Sequence, residues 1–157
     1  MTANLNNEEI EEILYQNFVG RIGCHANGQT YIVPISYAYN SGYIYVRSFE
    51  GMKINIMREN SSVCFEVDVM MDMSNWKCVI AWGRFEELTN IEERNRALRI
   101  LMERKLPSLS SINTKFTADW PFATEDYDTV TGVIFRILLT EKTGRFELNT
   151  DTYSFSM

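Results

Sequence analysis

IYVRSFEGMK, running from Ile44 to Lys53, decides how this chain is read. Alternating apolar residues lead into a corner that bears Gly51 and carries Ser48 and Lys53. A short helical pattern, Ile54, Ile56 and Met57, opens straight after it and ends near Asn60. The reading is strand, tight corner, helix. A hydroxyl, free backbone N–H groups and an ammonium then converge at a helix N-terminus. Unpaired N–H groups and the helix dipole both favour negative charge there, so the corner suits a dianionic phosphate. Gly51 lets backbone come close to such a group. Lys53 has an alternative as a solvated surface lysine, and Arg47 has one in pairing with Glu50 or Glu66.

Outward from the corner the pattern is antiparallel sheet. Upstream, FVGRIGCHA and QTYIVPISYAY flank Asn27-Gly28, and Asn-Gly between apolar runs signals a hairpin because both turn positions need positive φ. Tyr31, Val33, Ile35, Tyr37 and Tyr39 share one face of the second strand, and Ile32, Pro34, Ser36 and Ala38 the other. Pro34 cannot donate to a ladder, which predicts an edge or a break near the middle of that strand. A break there frees backbone groups for a ligand; an ordinary edge strand is the alternative. Asn40-Ser41-Gly42 makes a second hairpin loop before GYIYVRSF.

Downstream, SSVCFEVDVM alternates Val63, Phe65 and Val67 against Cys64, Glu66 and Asp68. MDMSN reads as a loop. WKCVIAWGRFEEL reads as a long strand with a bulge or close approach at Gly83. Thr89-x-x-Glu92 is a capping box opening a helix through about Lys105, with Ile91, Leu98, Leu101 and Met102 on its buried side. Residues 107–128 are polar apart from Trp120-Pro121-Phe122, a long connection of the kind that is functional or wraps a partner. TVTGVIFRILLTE is a strand, Lys142-Thr143-Gly144-Arg145 a turn, and RFELN a closing strand. At the other end, Asn6 and Asn7 can cap a helix with Ile10, Ile13, Leu14 and Phe18 at helical spacing. Its acidic cluster reads as a solvated helix start.

The architecture predicted is mainly β (α+β): one domain over 1–157, an antiparallel Greek-key split β-barrel with peripheral helices. Regular strand–helix alternation and GxGxxG are both missing, against a Rossmann sheet. The chain has 157 residues, 45% hydrophobic and 23% charged, which supports a full core and argues against disorder. A net charge of −6 with no basic run argues against nucleic-acid binding. No apolar run is long enough for a transmembrane helix, and MTANLNNEEIEEIL lacks the basic and apolar regions of a secretory signal. A cytoplasmic location is expected. Cys24, Cys64 and Cys78 are spread through apolar runs and read as reduced thiols, with a redox or nucleophilic cysteine as the alternative. His25 is the only histidine, so a zinc site with several imidazoles is impossible, and no metal site is expected.

Taken in order, GRIGCHANGQTYIVPISYAY, GYIYVRSFEGMKINIMRENSSVCFEVD, WKCVIAWGRFEEL and TEKTGR resemble the FMN-binding split-barrel superfamily, the pyridoxamine 5′-phosphate oxidase-like proteins. Within it the chain is most similar to the branch that includes nitroimidazole-resistance proteins. The resemblance implies a homodimer with FMN at the subunit interface. It places the phosphate at Ser48 and Lys53 with Arg47 beside them, and Val33, Pro34, Ile35 and Ser36 along the isoalloxazine ring. It brings Trp76, Lys77 and Cys78 near the flavin, from the same subunit or the other. Trp76 and Trp82 are candidate ring covers, with core or dimer packing as the alternative for Trp82.

One departure concerns activity. The nitroimidazole-resistance branch often has histidine in an HSA- or HGA-like segment where this chain has Arg47 in RSF. Arginine keeps positive charge but cannot titrate near neutral pH, which sets nitroimidazole reduction in doubt. The arginine-rich C-terminal segment of true pyridoxamine phosphate oxidases is also missing.

The function implied is an FMN-dependent oxidoreductase passing electrons from a reduced nicotinamide to a small organic acceptor. A non-catalytic flavin carrier or sensor is one alternative. A haem-binding relative, for which His25 is the one available axial histidine, is the other.

Overall fold

The computed structural model describes residues 2–104 and 130–149. The connection 107–128, with Trp120-Pro121-Phe122, lies outside the described residues, as do the last eight positions.

Strand β1 (Thr2–Asn4) leads into helix α1 (Asn7–Gln16). Asn6 caps the helix in a reciprocal box: its side chain accepts from the Glu9 N–H, and Glu9 accepts from the Asn6 N–H. The buried stripe is Ile10, Ile13 and Leu14, each contributing about 1.5–3 kcal/mol on burial. The acidic cluster is not wholly solvated. Glu11 accepts from Tyr39 at 2.5 Å and from the Lys142 ammonium, tying the helix to two strands.

Strands β2 (Val19–Ala26) and β3 (Gln29–Ser36) form the Asn27-Gly28 hairpin, with φ of 52° and 76° at the turn as the dipeptide predicts. Pro34 pairs opposite Arg21 without interrupting β3, because β3 is an edge of the sheet. The break falls instead at Tyr37, between β3 and β4 (Ala38–Asn40). Tyr37 is fully buried, meets the Phe65 ring edge-on at 5.0 Å, and donates its hydroxyl to the Leu14 carbonyl at 2.8 Å. Its backbone N–H bonds the Phe18 carbonyl. A side chain committed in this way pulls the strand off its line, so core packing, not proline, sets the break.

β5 (Tyr43–Ser48), helix α2 (Met52–Glu59), β6 (Ser62–Asp72) and β7 (Asn75–Glu87) follow. The expected loop MDMSN shrinks to a tight turn at Met73 and Ser74. Asp72 accepts from the Ser74 N–H and the Asn75 amide, which lets both strands run to the tip. Helix α3 (Ile91–Glu103) is capped by Asn90 rather than by Thr89, and its buried residues are Ala97, Leu98 and Leu101. Ile91, expected inside, is exposed. The cap moves one residue because the Asn90 carbonyl oxygen reaches both the Glu92 and Glu93 N–H groups.

β8 (Val133–Glu147) is one continuous strand of 15 residues, so the expected turn at Lys142 to Arg145 does not exist. It pairs with β7 on one side and with β5 and β1 on the other. The ladder runs straight through Thr143 and Gly144. Gly144 serves close packing: a Cβ there would lie 2.8 Å from Leu5 and 2.9 Å from Ile10. The β7–β8 ladder does shift register between Trp82 and Gly83, the bulge expected at that glycine.

The strand order is β3-β2-β6-β7-β8-β5-β4. β6 returns beside β2 across the intervening β3–β5 segment, a Greek-key crossover. The sheet curls around a core that includes Ile22, Phe65, Val79, Phe135 and Ile137. It does not close: β3 and β5 come near each other without joining the ladder. This antiparallel split barrel leaves one seam, and the corner after β5 sits on it.

Candidate functional site

The seam holds an open cleft of about 240 Å3 lined by Pro34, Ile35, Ser36, Arg47, Ser48, Phe49 and Lys53. Six of the ten residues predicted from sequence therefore meet in one place. They come from two strands that are distant in bonding order, β3 and β5, and from the start of α2. The volume is below the roughly 300–1,000 Å3 that encloses a drug-sized ligand, so the cleft has room for only part of a molecule of that size.

The helix entering this cleft differs from its two neighbours among the described residues. α1 and α3 have side-chain caps and glutamates in the first turn. α2 begins at Gly51 with no side-chain cap and no acid in its first turn. Its first intrahelical bond runs from the Asn55 N–H to the Gly51 carbonyl, so the N–H groups of Met52, Lys53 and Ile54 precede the helical ladder. Gly51 itself is in extended backbone, and a Cβ added there would meet nothing within 4 Å. No contact among the described residues requires a glycine at that position.

Charge in the cleft is positive. Lys53 is half-buried and forms no ion pair among the described residues. The carboxylate nearest in sequence, Glu50, is held by Arg58 through two bonds of 2.8 Å, and Arg58 also binds Glu87 at 2.8 and 2.9 Å. The Arg58 guanidinium keeps the Glu50 carboxyl below its ordinary range. The acid beside the corner is thus already matched and does not cancel Lys53. Arg47 pairs with neither Glu50 nor Glu66; Arg21 takes Glu66 and Asp68 instead. The Arg47 Nε donates to the Thr131 carbonyl at 2.8 Å, and its guanidinium lies over the Phe49 ring, 5.4 Å from the centroid. Ser48 donates to the adjacent Phe49 carbonyl at 3.2 Å, a local bond its hydroxyl can exchange for a ligand.

The other four predicted residues lie elsewhere in the subunit. Val33 packs against the core. Trp76, Lys77 and Cys78 are on β7, in the middle of the bonding order and so on the wall across the barrel from the seam. The Trp76 indole donates to Glu147 at 3.2 Å and, with Lys77, lines a separate apolar hollow with Leu5, Val69, Phe146 and Leu148. The Cys78 thiol lies 3.6 Å from Glu66. Burial, with the Glu66 and Asp68 carboxylates beside it, pushes this thiol up to about 11, so it is protonated and a poor nucleophile at neutral pH. Burial likewise raises the Cys24 and Cys64 thiols, and all three cysteines are free. Trp82 is partly exposed on β7, paired with Cys64. His25 lies on the β2–β3 hairpin, its Nδ1 3.0 Å from the Thr30 hydroxyl.

Two contributors to the cleft were not picked out from sequence. Phe49 is 63% exposed at its mouth, and its one local signal is that it is an aromatic in the corner. The Thr131 carbonyl that anchors Arg47 had no local signal, because the contact spans 84 residues.

The arrangement of donors and cations in the cleft suits a phosphate, and comparison with known proteins bears on which molecule carries it. A profile of the pyridoxamine 5′-phosphate oxidase family matches residues 6–146. A solved structure described as a FAD-binding protein from Mesorhizobium loti is 32% identical, covers 95% of this chain and 98% of its own, and superposes with a TM-score of 0.71. A structure from Bacteroides thetaiotaomicron described as a 5-nitroimidazole antibiotic resistance protein also has a TM-score of 0.71, at 21% identity over 93% of this chain and 87% of its own. That second likeness is one of fold. An uncharacterized protein of Rhizobium meliloti is 33% identical over 84 residues. The match spans 54% of this chain and about half, 56%, of that curated relative.

Proposed function

The chain belongs to the pyridoxamine 5′-phosphate oxidase family, and from that membership we propose that it is a flavoprotein. Its cleft would grip riboflavin 5′-phosphate, the unit that is FMN when free and one half of FAD. One observation carries the reading: the uncapped start of α2 opens on the same cleft as Ser48 and the ammonium of Lys53, which has no ion pair among the described residues. Backbone N–H groups, a hydroxyl and a cation are the donors a phosphate dianion needs. Pro34 to Ser36 along the edge strand would flank the ring. The family relative described as FAD-binding supports the same class of ligand.

The activity proposed is electron transfer from a reduced nicotinamide to a small organic acceptor. The bound flavin supplies the redox chemistry, and the protein supplies binding, orientation and tuning. None of the seven residues lining the cleft is a carboxylic acid or a histidine. Among the described residues, this wall thus offers no group that moves a proton near neutral pH. An arginine bonded to the Thr131 carbonyl stands where the nitroimidazole-resistance branch often has histidine, which argues against nitroimidazole as the acceptor.

A homodimer completes the proposal. Trp76, Lys77 and Cys78 lie on β7, outside the lining of their own cleft, and would approach a flavin held by a second copy. Val69, Met70, Met71 and Met73 are exposed on the same β6–β7 hairpin, apolar surface of the kind that packs between subunits.

The test is the visible spectrum of the purified protein under anaerobic titration. Bands near ~370 and ~450 nm are expected of oxidised flavin. Addition of NADH or NADPH should bleach the longer band, and a small acceptor should restore it. A flavin that stays oxidised under excess of both nucleotides would replace the oxidoreductase by a carrier.

A further inference from the structure

Resting on the flavin reading above, we propose that Arg58 is a positioning residue for the flavin phosphate: it holds the Glu50 carboxylate off the start of α2 and so keeps Lys53 and the first backbone N–H groups open to the ligand.

The need for such a residue lies in the corner itself. Glu50 stands between Phe49, which lines the cleft, and Gly51, which begins α2. A carboxylate in that place is drawn to the same donors as a phosphate, because the N–H groups and dipole of a helix start favour any anion. The other two described helices show this attraction. Glu9 accepts from the Asn6 N–H at the start of α1, and α1 and α3 each carry two glutamates in the first turn. Lys53, three residues beyond Glu50, is a second attraction. Left to itself, Glu50 would compete with the phosphate from within the chain.

Arg58 prevents this by geometry. Its two Nη groups donate to the two Glu50 carboxylate oxygens at 2.8 Å each, a fork that uses both. Its Nε and one Nη also donate to Glu87 at the end of β7, at 2.9 and 2.8 Å. The second carboxylate fixes the guanidinium to the sheet, so Glu50 is tied to the barrel as well as to its own helix. Arg58 follows Lys53 by five residues, about 140° around an α-helix. The clamp therefore holds the acid on another face of α2. Stability alone gives little reason for it. All three side chains are partly exposed, Glu50 by 64%, and exposed ion pairs contribute little.

The experiment strips the flavin from the protein and titrates the apoprotein with FMN and with riboflavin, which lacks the phosphate, following flavin fluorescence. Arg58→Gln should weaken FMN roughly tenfold, the combined effect of a competing helix cap and a lysine pair. It should leave riboflavin within about twofold, since no phosphate is then at stake. Adding Glu50→Gln to Arg58→Gln removes the competitor and should return FMN to within about threefold of the native value. Glu50→Gln alone should change FMN affinity by less than about twofold, because the clamp already matches that charge. This conservative surface change reports on the inference even if loss of Arg58 disturbs the fold.

An Arg58→Gln variant with native FMN affinity would overturn the inference. So would a loss that Glu50→Gln does not rescue, or one that riboflavin shares, since either marks a damaged corner. A roughly tenfold tightening of FMN by Glu50→Gln alone would overturn it too, by showing that the acid competes in the native protein. All these results leave the flavin reading standing, whereas a native protein that binds no FMN would remove that reading as well.

Discussion

Gly83→Ala is expected to destabilise the protein by about 3 kcal/mol or more, the largest effect of any single methyl group considered. Gly83 is buried on β7 at the register shift against β8. A Cβ there would stand 2.1 Å from the Leu138 carbonyl oxygen and 2.9 Å from the Ile137 side chain. A flexible side chain could turn aside; a backbone carbonyl within a ladder cannot. The two longest strands would have to part at the bulge that shapes the curl of the sheet. Thermal unfolding should report a midpoint lower by roughly 6–12 °C, at about 2–4 °C per kcal/mol for a chain of this size. A midpoint equal to that of the native protein would show that the ladder can give at Leu138, and the account of the bulge would be wrong.

Lys53→Ala should weaken flavin binding by one to two orders of magnitude, about 1.5–3 kcal/mol for a charge-assisted contact. Stability should scarcely change, because Lys53 has no ion pair to lose among the described residues. That separation is the informative part. A structural lysine would show the opposite pattern, with a lower unfolding midpoint and unchanged affinity. Lys53→Arg retains the charge and should recover most of the binding. Unchanged affinity in the alanine variant would remove Lys53 from the site.

The elements that could be read from sequence are those whose cause is local. Asn27-Gly28 needs positive φ at both positions, and no distant contact competes with it. The corner was legible for the same reason, since strand, glycine, lysine and helix follow one another directly. The errors share a different cause. Lys142 to Arg145 has the composition of a turn, but β7 pairs with that stretch residue by residue and α1 rests on Gly144. Long-range pairing overrode the local signal. Of the two readings at Pro34, an edge or a break, the edge holds, and the break sits at Tyr37, whose buried hydroxyl bonds Leu14, 23 residues away. Strand β1 had too few residues for any periodicity, and it exists because β8 offers it an edge. Within the site, chemistry-bearing side chains were legible and their neighbours were not. Ser48 and Lys53 announce a phosphate by type and position. The Glu50–Arg58–Glu87 clamp, which leaves Lys53 unopposed, depends on a contact across 29 residues.

The central claim is that the cleft between the edge strand and the start of α2 holds the phosphate of a flavin, and the structure of the flavin-loaded protein tests it most directly. The phosphorus is predicted to lie where its oxygens accept hydrogen bonds from Ser48 Oγ, Lys53 Nζ and the first backbone N–H groups of α2. A phosphate bound anywhere else, such as the hollow between α1 and α3 lined by Tyr39 and Arg104, would contradict the account.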